Sequence, residues 1–404
     1  MDLILPQKYH NELDVVSFQQ MLKDPSYCYK FYWLEALVVL ITEGKTETTF
    51  DELIDEMISR AWYSVREFHI HLSGTVKGEV RDGLEQSVVR LAELSGLPSN
   101  ASRTEIKNAI RTYNAELNET KTRLTKMVPY RALAGFFLNT AETPNWGSTV
   151  QMTDFILRYD RTVDELPYTL GPSSGLRKEV YFSSAWNKLI QDNAVSILGW
   201  IQHEKIKWLQ MNNVEVPGLV FKLAPLDDKM RRLTHVRNLW REIMKQHSVR
   251  DIYTGRELQS TDFDVDHFVP WSFLMNDEMW NLLPMDSSLN SAKSNRLPNW
   301  DMFFPQFAKT QFSMFRAVQG SEKLHSLFDA CYKDNMHSIW AERELYRSGI
   351  SLNEFGNVLS KNMRPFYDSA YRQGYEMWNF RTPEVLYGAS STDTTLLVAE
   401  KLDI

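Results

Sequence analysis

The stretch DVDHFVPWSF, residues 264–273, places Asp266 and His267 inside a run that is otherwise apolar. Asn281 follows fourteen residues after the histidine, and Asn290 follows nine residues after Asn281. Because burying an unpaired charge costs free energy, the pair is either a set of satisfied core groups or a chemical site. Carboxylate and amide oxygens suit Mg²⁺, and an imidazole with a pKa of about 6.5 suits a general base. These residue types therefore indicate metal-assisted hydrolysis.

The backbone must bring Asp266 and His267 to one side. Neighbouring residues on a flat strand point to opposite faces, so the two side chains cannot share a ligand unless the strand ends there. Pro270 favours such an end. The sequence thus predicts a strand that stops next to the Asp-His pair.

Short elements surround these residues. Two extended runs, around residues 252–258 and 263–269, are joined by polar turn residues, and SSLNSAKSNR (287–296) can form a helix. The predicted order is strand, strand, helix. Four motifs occur along it: Tyr-Thr-Gly (253–255), Asp-His-x-x-Pro-x-Ser (266–272), Trp-Asn-Leu (280–282) and Asn-x-x-Lys-Ser (290–294).

In these motifs the segment resembles the HNH nuclease module, the ββα-metal finger. It is similar to the variant whose third signature residue is Asn, which RNA-guided CRISPR effector nucleases carry. The resemblance covers about residues 230–300. This segment lacks the two cysteine pairs with which many HNH proteins bind zinc, since the chain has only two cysteines and they are far apart. Packing against helices must therefore stabilise the module in place of zinc.

The resemblance implies a role for each signature residue. His267 would be the general base, and Asn281 would brace the loop after the strand through backbone hydrogen bonds. Asp266 and Asn290 would hold Mg²⁺ or Mn²⁺, and Lys293, on the same helical face as Asn290, would hold a phosphate. The expected reaction is hydrolysis of DNA, double-stranded in our interpretation, that leaves a 5′-phosphate and a 3′-hydroxyl.

Charge distribution gives a second indication. Residues 221–250 contain eight Lys or Arg and three Asp or Glu, a local charge of +5. Because the net charge of the chain is −7, the remaining residues together carry −12. A basic helix upstream of the Asp-His strand fits a surface that tracks phosphates, with Arg232, Arg237 and Arg241 as the predicted contacts. Taken alone, the segment is better explained as a solvated helix face, and it is the position beside the Asp-His pair that favours a role in phosphate binding.

Length and pattern predict a mainly α protein. Hydrophobic residues make up 43% and charged residues 24% of the 404, typical of a globular chain long enough for two or three domains. Three capping patterns, at 49–52, 102–105 and 351–354, each open an apolar-periodic segment. We predict a helical region (1–220) for DNA binding, sensing or contact with a protein partner, a nuclease module with its basic lead-in helix (221–305) and a second helical region (306–404).

Two alternatives remain open from the sequence. The protein is either an endonuclease, for which bacterial restriction or anti-phage systems are an analogy, or an adaptor or sensor subunit whose module acts only within a complex. A nuclease directed at RNA is a further option. We see no signal peptide and no membrane segment, and the few cysteines fit a reducing, cytoplasmic location.

Overall fold

The computed structural model of the protein describes residues 3–23, 25, 27–73, 82–137, 144–145, 147–159, 166–223 and 231–380. The chain divides into two compact units, Met1–Pro225 and Leu226–Ile404. Helices dominate and the sheets are small, which confirms the mainly α fold class. The three functional regions inferred from the sequence are not tested by this division and stay predictions.

The first unit combines helices with a three-stranded antiparallel sheet of order β1-β3-β2. Its elements are α1 (Gln7–His10), α2 (Val15–Gln20), α3 (Tyr29–Thr42), β1 (Glu47–Thr49), α4 (Phe50–Phe68), α5 (Gly83–Ser95), α6 (Arg103–Thr112), α7 (Asn114–Leu124), α8 (Val128–Arg131), α9 (Thr149–Tyr159), β2 (Tyr168–Leu170), β3 (Glu179–Phe182), α10 (Ser184–Asp192) and α11 (Ala194–Asn212). Short 3₁₀ turns lie at Ala132–Phe137, Gly175–Arg177 and Leu219–Lys222.

Helix α3 forms the centre of this unit. Every residue from Phe31 to Ile41 is buried, as expected for an apolar run without a polar face. The one acid within it, Glu35, is paired with the buried Lys205 of α11 at 2.6 Å. Among the described residues, no helix is both long and apolar enough to cross a bilayer.

The predicted capping patterns start helices as expected. Ser102 and Ser351 form complete capping boxes with the glutamates three residues later. Thr49 accepts a hydrogen bond from the Glu52 backbone amide, but the Glu52 side chain binds Lys45 and Thr48 instead of returning to the cap.

A buried lysine paired with two partly buried aspartates joins α4 to α7. The Lys121 ammonium is fully buried and lies 2.6 Å from a carboxylate oxygen of Asp51 and 2.6 Å from one of Asp55. The same ammonium donates a hydrogen bond of 3.0 Å to the Oδ1 of Asn114. Removing the cation would leave two carboxylates close together without their counter-charge.

We therefore expect Lys121→Met to lower the local unfolding free energy of α4 and α7 by about 3–5 kcal/mol. Hydrogen exchange followed by mass spectrometry measures this opening at the amides of both helices. Arg123→Ala is the matched control, because Arg123 lies in the same helix and its pair with Glu119 is exposed; its effect should stay below about 1 kcal/mol. Equal effects of the two substitutions would contradict the structural role of Lys121.

The second unit consists of α12 (Thr234–Gln246), β4 (Asp264–His267), α13 (Trp271–Leu274), β5 (Leu282–Met285), α14 (Ser287–Lys293), α15 (Trp300–Gln319), α16 (Glu322–Cys331) and α17 (Leu352–Arg372). A 3₁₀ turn covers Met279–Asn281 and a π-helical turn covers Ala341–Leu345. Strands β4 and β5 pair antiparallel, with Asp266 opposite Leu283 and His267 opposite Leu282.

One of the two strands expected from the sequence was placed wrongly. The run 252–258 forms a turn closed by an isolated bridge between Arg250 and Glu257, and the second strand is β5, after the Asp-His strand instead of before it. Asp251 explains the turn, since its Oδ1 accepts hydrogen bonds from the backbone amides of Tyr253 and Thr254. The predicted helix at 287–296 is present as α14, which ends at Lys293.

The segment formed by β4, β5 and α14 packs against the long helices of the second unit. Buried side chains of β4, β5, α12, α15 and α17 belong to one hydrophobic cluster. Phe268 packs on Phe307 of α15 with ring centres 4.6 Å apart, and the buried Gln311 of α15 donates hydrogen bonds to the carbonyls of Met279 and Leu282. Both cysteines are buried and free, so this packing takes the place of a zinc clip.

Candidate functional site

The end of β4 opens into a pocket of about 200 Å³. The strand stops at His267, and Pro270 precedes α13, so Asp266 and His267 both line this pocket although they are neighbours in sequence. Asn290 of α14 also lines this pocket. Lys293 of α14 lines the pocket as well, so the structure brings together four of the site residues predicted from the motifs.

Lys293 neutralises Asp266. Its ammonium is buried and lies 3.2 Å from Asp266 Oδ1 and 3.0 Å from Oδ2, and it donates a hydrogen bond of 2.7 Å to the carbonyl of His267. Because a lone buried carboxylate is costly, this cation makes the burial of Asp266 tolerable. Its predicted contact with a phosphate is untested.

Asn290 is oriented by Asp264. Its Nδ2 lies 3.3 Å from Asp264 Oδ2, and Arg237 of α12 lies 3.6 Å from the other oxygen of the same carboxylate. With its amino group directed to Asp264, Asn290 keeps its amide oxygen for another partner. Asp264, whose role the sequence leaves open, therefore acts on the orientation of this amide.

His267 is held by a carboxylate that the motifs did not indicate. Its Nε2 lies 2.9 Å from Asp277 Oδ1, and both side chains are about 4% exposed. Burial lowers the pKa of His267, and the charge and hydrogen bond of Asp277 only partly offset this. Burial is the largest single influence on the pKa of Asp277 and acts to raise it, but the hydrogen bonds from His267 and the Arg232 amide, together with the charges of His267 and Arg231, lower the pKa below its ordinary value. At neutral pH the site thus holds a neutral imidazole beside an ionised carboxylate.

Asn281 lies behind the pocket and fixes the loop that follows His267. Its Oδ1 accepts a hydrogen bond from the Val269 amide and its Nδ2 donates one to the Val269 carbonyl, both at 2.8 Å. The Asn281 carbonyl also accepts from the Phe268 amide at 2.9 Å. These contacts correspond to the predicted bracing geometry, and the catalytic contribution of Asn281 stays a prediction.

Asp266 and Asn290 offer a donor set that fits a hard divalent cation. Asp266 Oδ2 is buried, and despite the nearby ammonium it accepts no hydrogen bond of normal geometry from the described residues. Among the described residues, no cluster of three or more His, Cys, Asp and Glu side chains could hold a metal. A cation here would therefore depend on one carboxylate, one amide and several waters, which is the coordination that Mg²⁺ accepts.

A comparison with known families matches the segment that carries this arrangement. Residues 251–299 match the family model of HNH endonucleases. The protein contains an HNH domain. HNH nucleases generally use a divalent metal and act on nucleic acid. The helical regions on either side lie outside the match, and no solved structure matches the chain.

The basic residues around the HNH domain differ in position. Arg231 lines the pocket and stacks on Trp271, with its guanidinium 4.9 Å from the ring centre. The three arginines predicted to bind nucleic acid do not line it: Arg232 pairs with Asp334 at 2.8 Å, Arg237 faces Asp264, and Arg241 bonds Asn238. The sequence signal for Arg231 was its place in the basic segment, which does not distinguish it from its neighbours.

Asp251 and Asp277 were also missed. Asp251 is buried, and its Oδ2 accepts a hydrogen bond of 3.1 Å from the amide of Asp286, the residue that caps α14. It therefore ties the Tyr-Thr-Gly turn to the helix that carries Asn290. A turn acid before a Tyr-Thr-Gly motif is the only signal that could have indicated it.

Proposed function

We propose that the protein is a metal-dependent endonuclease that hydrolyses phosphodiester bonds of double-stranded DNA. His267 is the general base, and Asp266 and Asn290 hold Mg²⁺ or Mn²⁺. The observation that supports this most is the single pocket into which β4 and α14 place an imidazole, a carboxylate and an amide.

The chemistry follows from these groups. His267 takes a proton from a water as that water's oxygen attacks phosphorus, and the bond from phosphorus to the 3′ oxygen breaks. The product strand ends in a 5′-phosphate, and the leaving 3′ oxygen takes a proton from solvent water to become the 3′-hydroxyl. A divalent cation, when bound, neutralises charge on the phosphoryl group and stabilises the leaving oxygen. Asn281 holds the loop after His267, so that the imidazole keeps its direction while the proton moves.

The experiment is a plasmid cleavage assay with the full-length protein in Mg²⁺ or Mn²⁺, with EDTA as the control. Labelled duplex DNA, single-stranded DNA and RNA of one sequence are assayed in parallel. We expect nicked and linear plasmid only with metal, and ends that a ligase rejoins because they carry a 5′-phosphate. Cleavage that persists in EDTA would contradict the metal-dependent mechanism, and cleavage of RNA alone would contradict the DNA substrate.

We further propose that Arg231 binds a phosphate of the substrate. It is exposed at the rim of the pocket, and its stacking on Trp271 keeps the guanidinium in place. Arg232, Arg237 and Arg241 remain the proposed contacts with more distant phosphates, although each already has a polar partner in the protein.

For Arg231→Ala we expect binding of a labelled duplex to weaken about 10-fold, because a charge-assisted hydrogen bond contributes about 1.5 kcal/mol or more. The slope of log affinity against log salt should fall by about 1. Fluorescence anisotropy in a His267→Ala background measures both without cleavage. Arg347→Ala, which removes an exposed arginine paired with Glu354, should change neither, and equal effects of the two variants would contradict a specific phosphate site.

A second candidate is supported by the charge balance. Outside residues 221–250 the chain carries −12, which is unfavourable for a protein that binds DNA over a large surface alone. An adaptor or sensor subunit, active only in a complex, would show no cleavage in isolation and would regain it with a co-purified protein partner. Restriction or anti-phage defence is the setting that we propose by analogy with other HNH proteins, in the cytoplasm, which the free thiols fit.

A further inference from the structure

The carboxylate of Asp277 binds a different donor with each oxygen. Oδ1 lies 2.9 Å from His267 Nε2, and Oδ2 accepts a hydrogen bond of 2.6 Å from the backbone amide of Arg232. No described residue makes a hydrogen bond with the other ring nitrogen of His267, Nδ1, and His267 lines the pocket. The two sides of the imidazole therefore differ, since one faces a fixed carboxylate and the other has no hydrogen-bond partner among the described residues.

A buried asparagine fixes the backbone on both sides of this carboxylate. Asn335 Nδ2 donates hydrogen bonds of 2.8 Å to the carbonyls of Arg232 and of Asp277. The backbone carbonyl of Asn335 accepts a hydrogen bond of 2.7 Å from the backbone amide of Met279. Moving the backbone of Arg232 away from Asp277 would therefore break hydrogen bonds that are buried or partly buried.

We infer that Asp277 is a positioning residue that fixes the tautomer of His267, so that Nε2 carries the proton and Nδ1 accepts the proton of the attacking water. An ionised carboxylate can only accept hydrogen bonds, so the ring nitrogen that faces it must be the donor. This inference rests on the proposed function, because it names the atom of His267 that acts as the base. It also explains why a domain with a buried histidine places a second carboxylate beside it.

Asp277→Asn tests the inference because the Arg232 amide dictates how the new side chain must turn. The amide oxygen of Asn has to face the Arg232 N–H, since two donors would otherwise meet. Its NH₂ group then points at His267 Nε2, which must become the acceptor. The proton moves to Nδ1, and the nitrogen that should take the proton of water is blocked.

The measurement is the ¹⁵N spectrum of selectively labelled histidine in the full-length protein, at a pH where the ring is neutral. The chain has nine histidines, and the signals missing in His267→Ala identify those of His267. We expect the Nε2–H tautomer in the wild type and the Nδ1–H tautomer in Asp277→Asn, together with a fall in kcat of about 100-fold at unchanged KM. Asp334→Asn, which removes a nearby carboxylate paired with the Arg232 side chain, should change neither.

Finding the Nδ1–H tautomer in the wild type would overturn the inference, and this result does not depend on how well Asp277→Asn folds. An unchanged tautomer and kcat in Asp277→Asn would overturn it as well. Failure of the proposed function looks different: no cleavage by the wild type, while the ¹⁵N spectra still show the Nε2–H tautomer and its reversal in Asp277→Asn.

Discussion

Replacing His267 by alanine should lower the rate of plasmid cleavage about 10⁴-fold in Mg²⁺, while binding of the DNA stays close to that of the wild type. Proton transfer by a positioned base contributes about 10²- to 10⁴-fold to such reactions, and the described residues that line the pocket include no second imidazole to replace it. The upper end of the range is expected because His267 is neutral and oriented by Asp277 before substrate binds. Single-turnover cleavage of a supercoiled plasmid measures the rate of the chemical step.

Two controls separate the base from the fold. His235→Ala removes an imidazole from α12 that faces Asp334 at 3.5 Å and lies outside the pocket, and it should leave the cleavage rate within about threefold of the wild-type value. In His267→Gly, added imidazole should restore part of the activity, since the truncated side chain enlarges the pocket. Wild type and His267→Ala that nick plasmid at equal rates would show that the base is another group.

Asp266→Asn should lower Mn²⁺ affinity at least 100-fold and the cleavage rate about 10³-fold. The substitution keeps the shape of the side chain but removes the charged oxygen, and a bound cation supplies several kcal/mol of transition-state stabilisation. The substitution also leaves the Lys293 ammonium buried without a counter-charge, so stability should fall by about 3 kcal/mol. Calorimetric titration with Mn²⁺ and urea unfolding measure the two effects separately.

A double variant distinguishes metal loss from misfolding. Asp266→Asn with Lys293→Met removes the unpaired cation, so it should recover most of the stability but none of the Mn²⁺ affinity. Lys293→Met alone should keep Asp266 for the metal and retain or raise the Mn²⁺ affinity, because a competing cation at 3.0 Å is removed. If Mn²⁺ binds the double variant as tightly as the wild type, Asp266 is not a ligand.

Most of the site could be predicted from the spacing of residues within short sequence motifs. Asp266, His267 and Asn290 lie in short motifs, and their chemistry depends on one strand end and one helix face that are close in sequence. The mainly α fold followed from apolar periodicity and capping boxes, such as those at Ser102 and Ser351, because these signals are also local.

Tertiary partners could not be predicted in the same way. Asp277 lies in a turn ten residues after His267, and Asn335 lies 68 residues after His267. Nothing in this spacing indicates that either residue lies close to the histidine in the fold. Strand β5 was missed because LLPM is short, apolar on both faces and contains a proline, a pattern that does not distinguish a strand from a loop. The burial of Lys293 against Asp266 likewise depends on the packing of α14 on β4.

A crystal structure of the full-length protein with Mn²⁺, phased so that the anomalous signal locates the ion, tests the central claim most directly. We expect one Mn²⁺ in the pocket at the end of β4, coordinated by oxygens of Asp266 and Asn290, with the remaining positions held by waters. An ion bound elsewhere, or a pocket in which Asp266 still binds only Lys293 at saturating Mn²⁺, would contradict the nuclease mechanism.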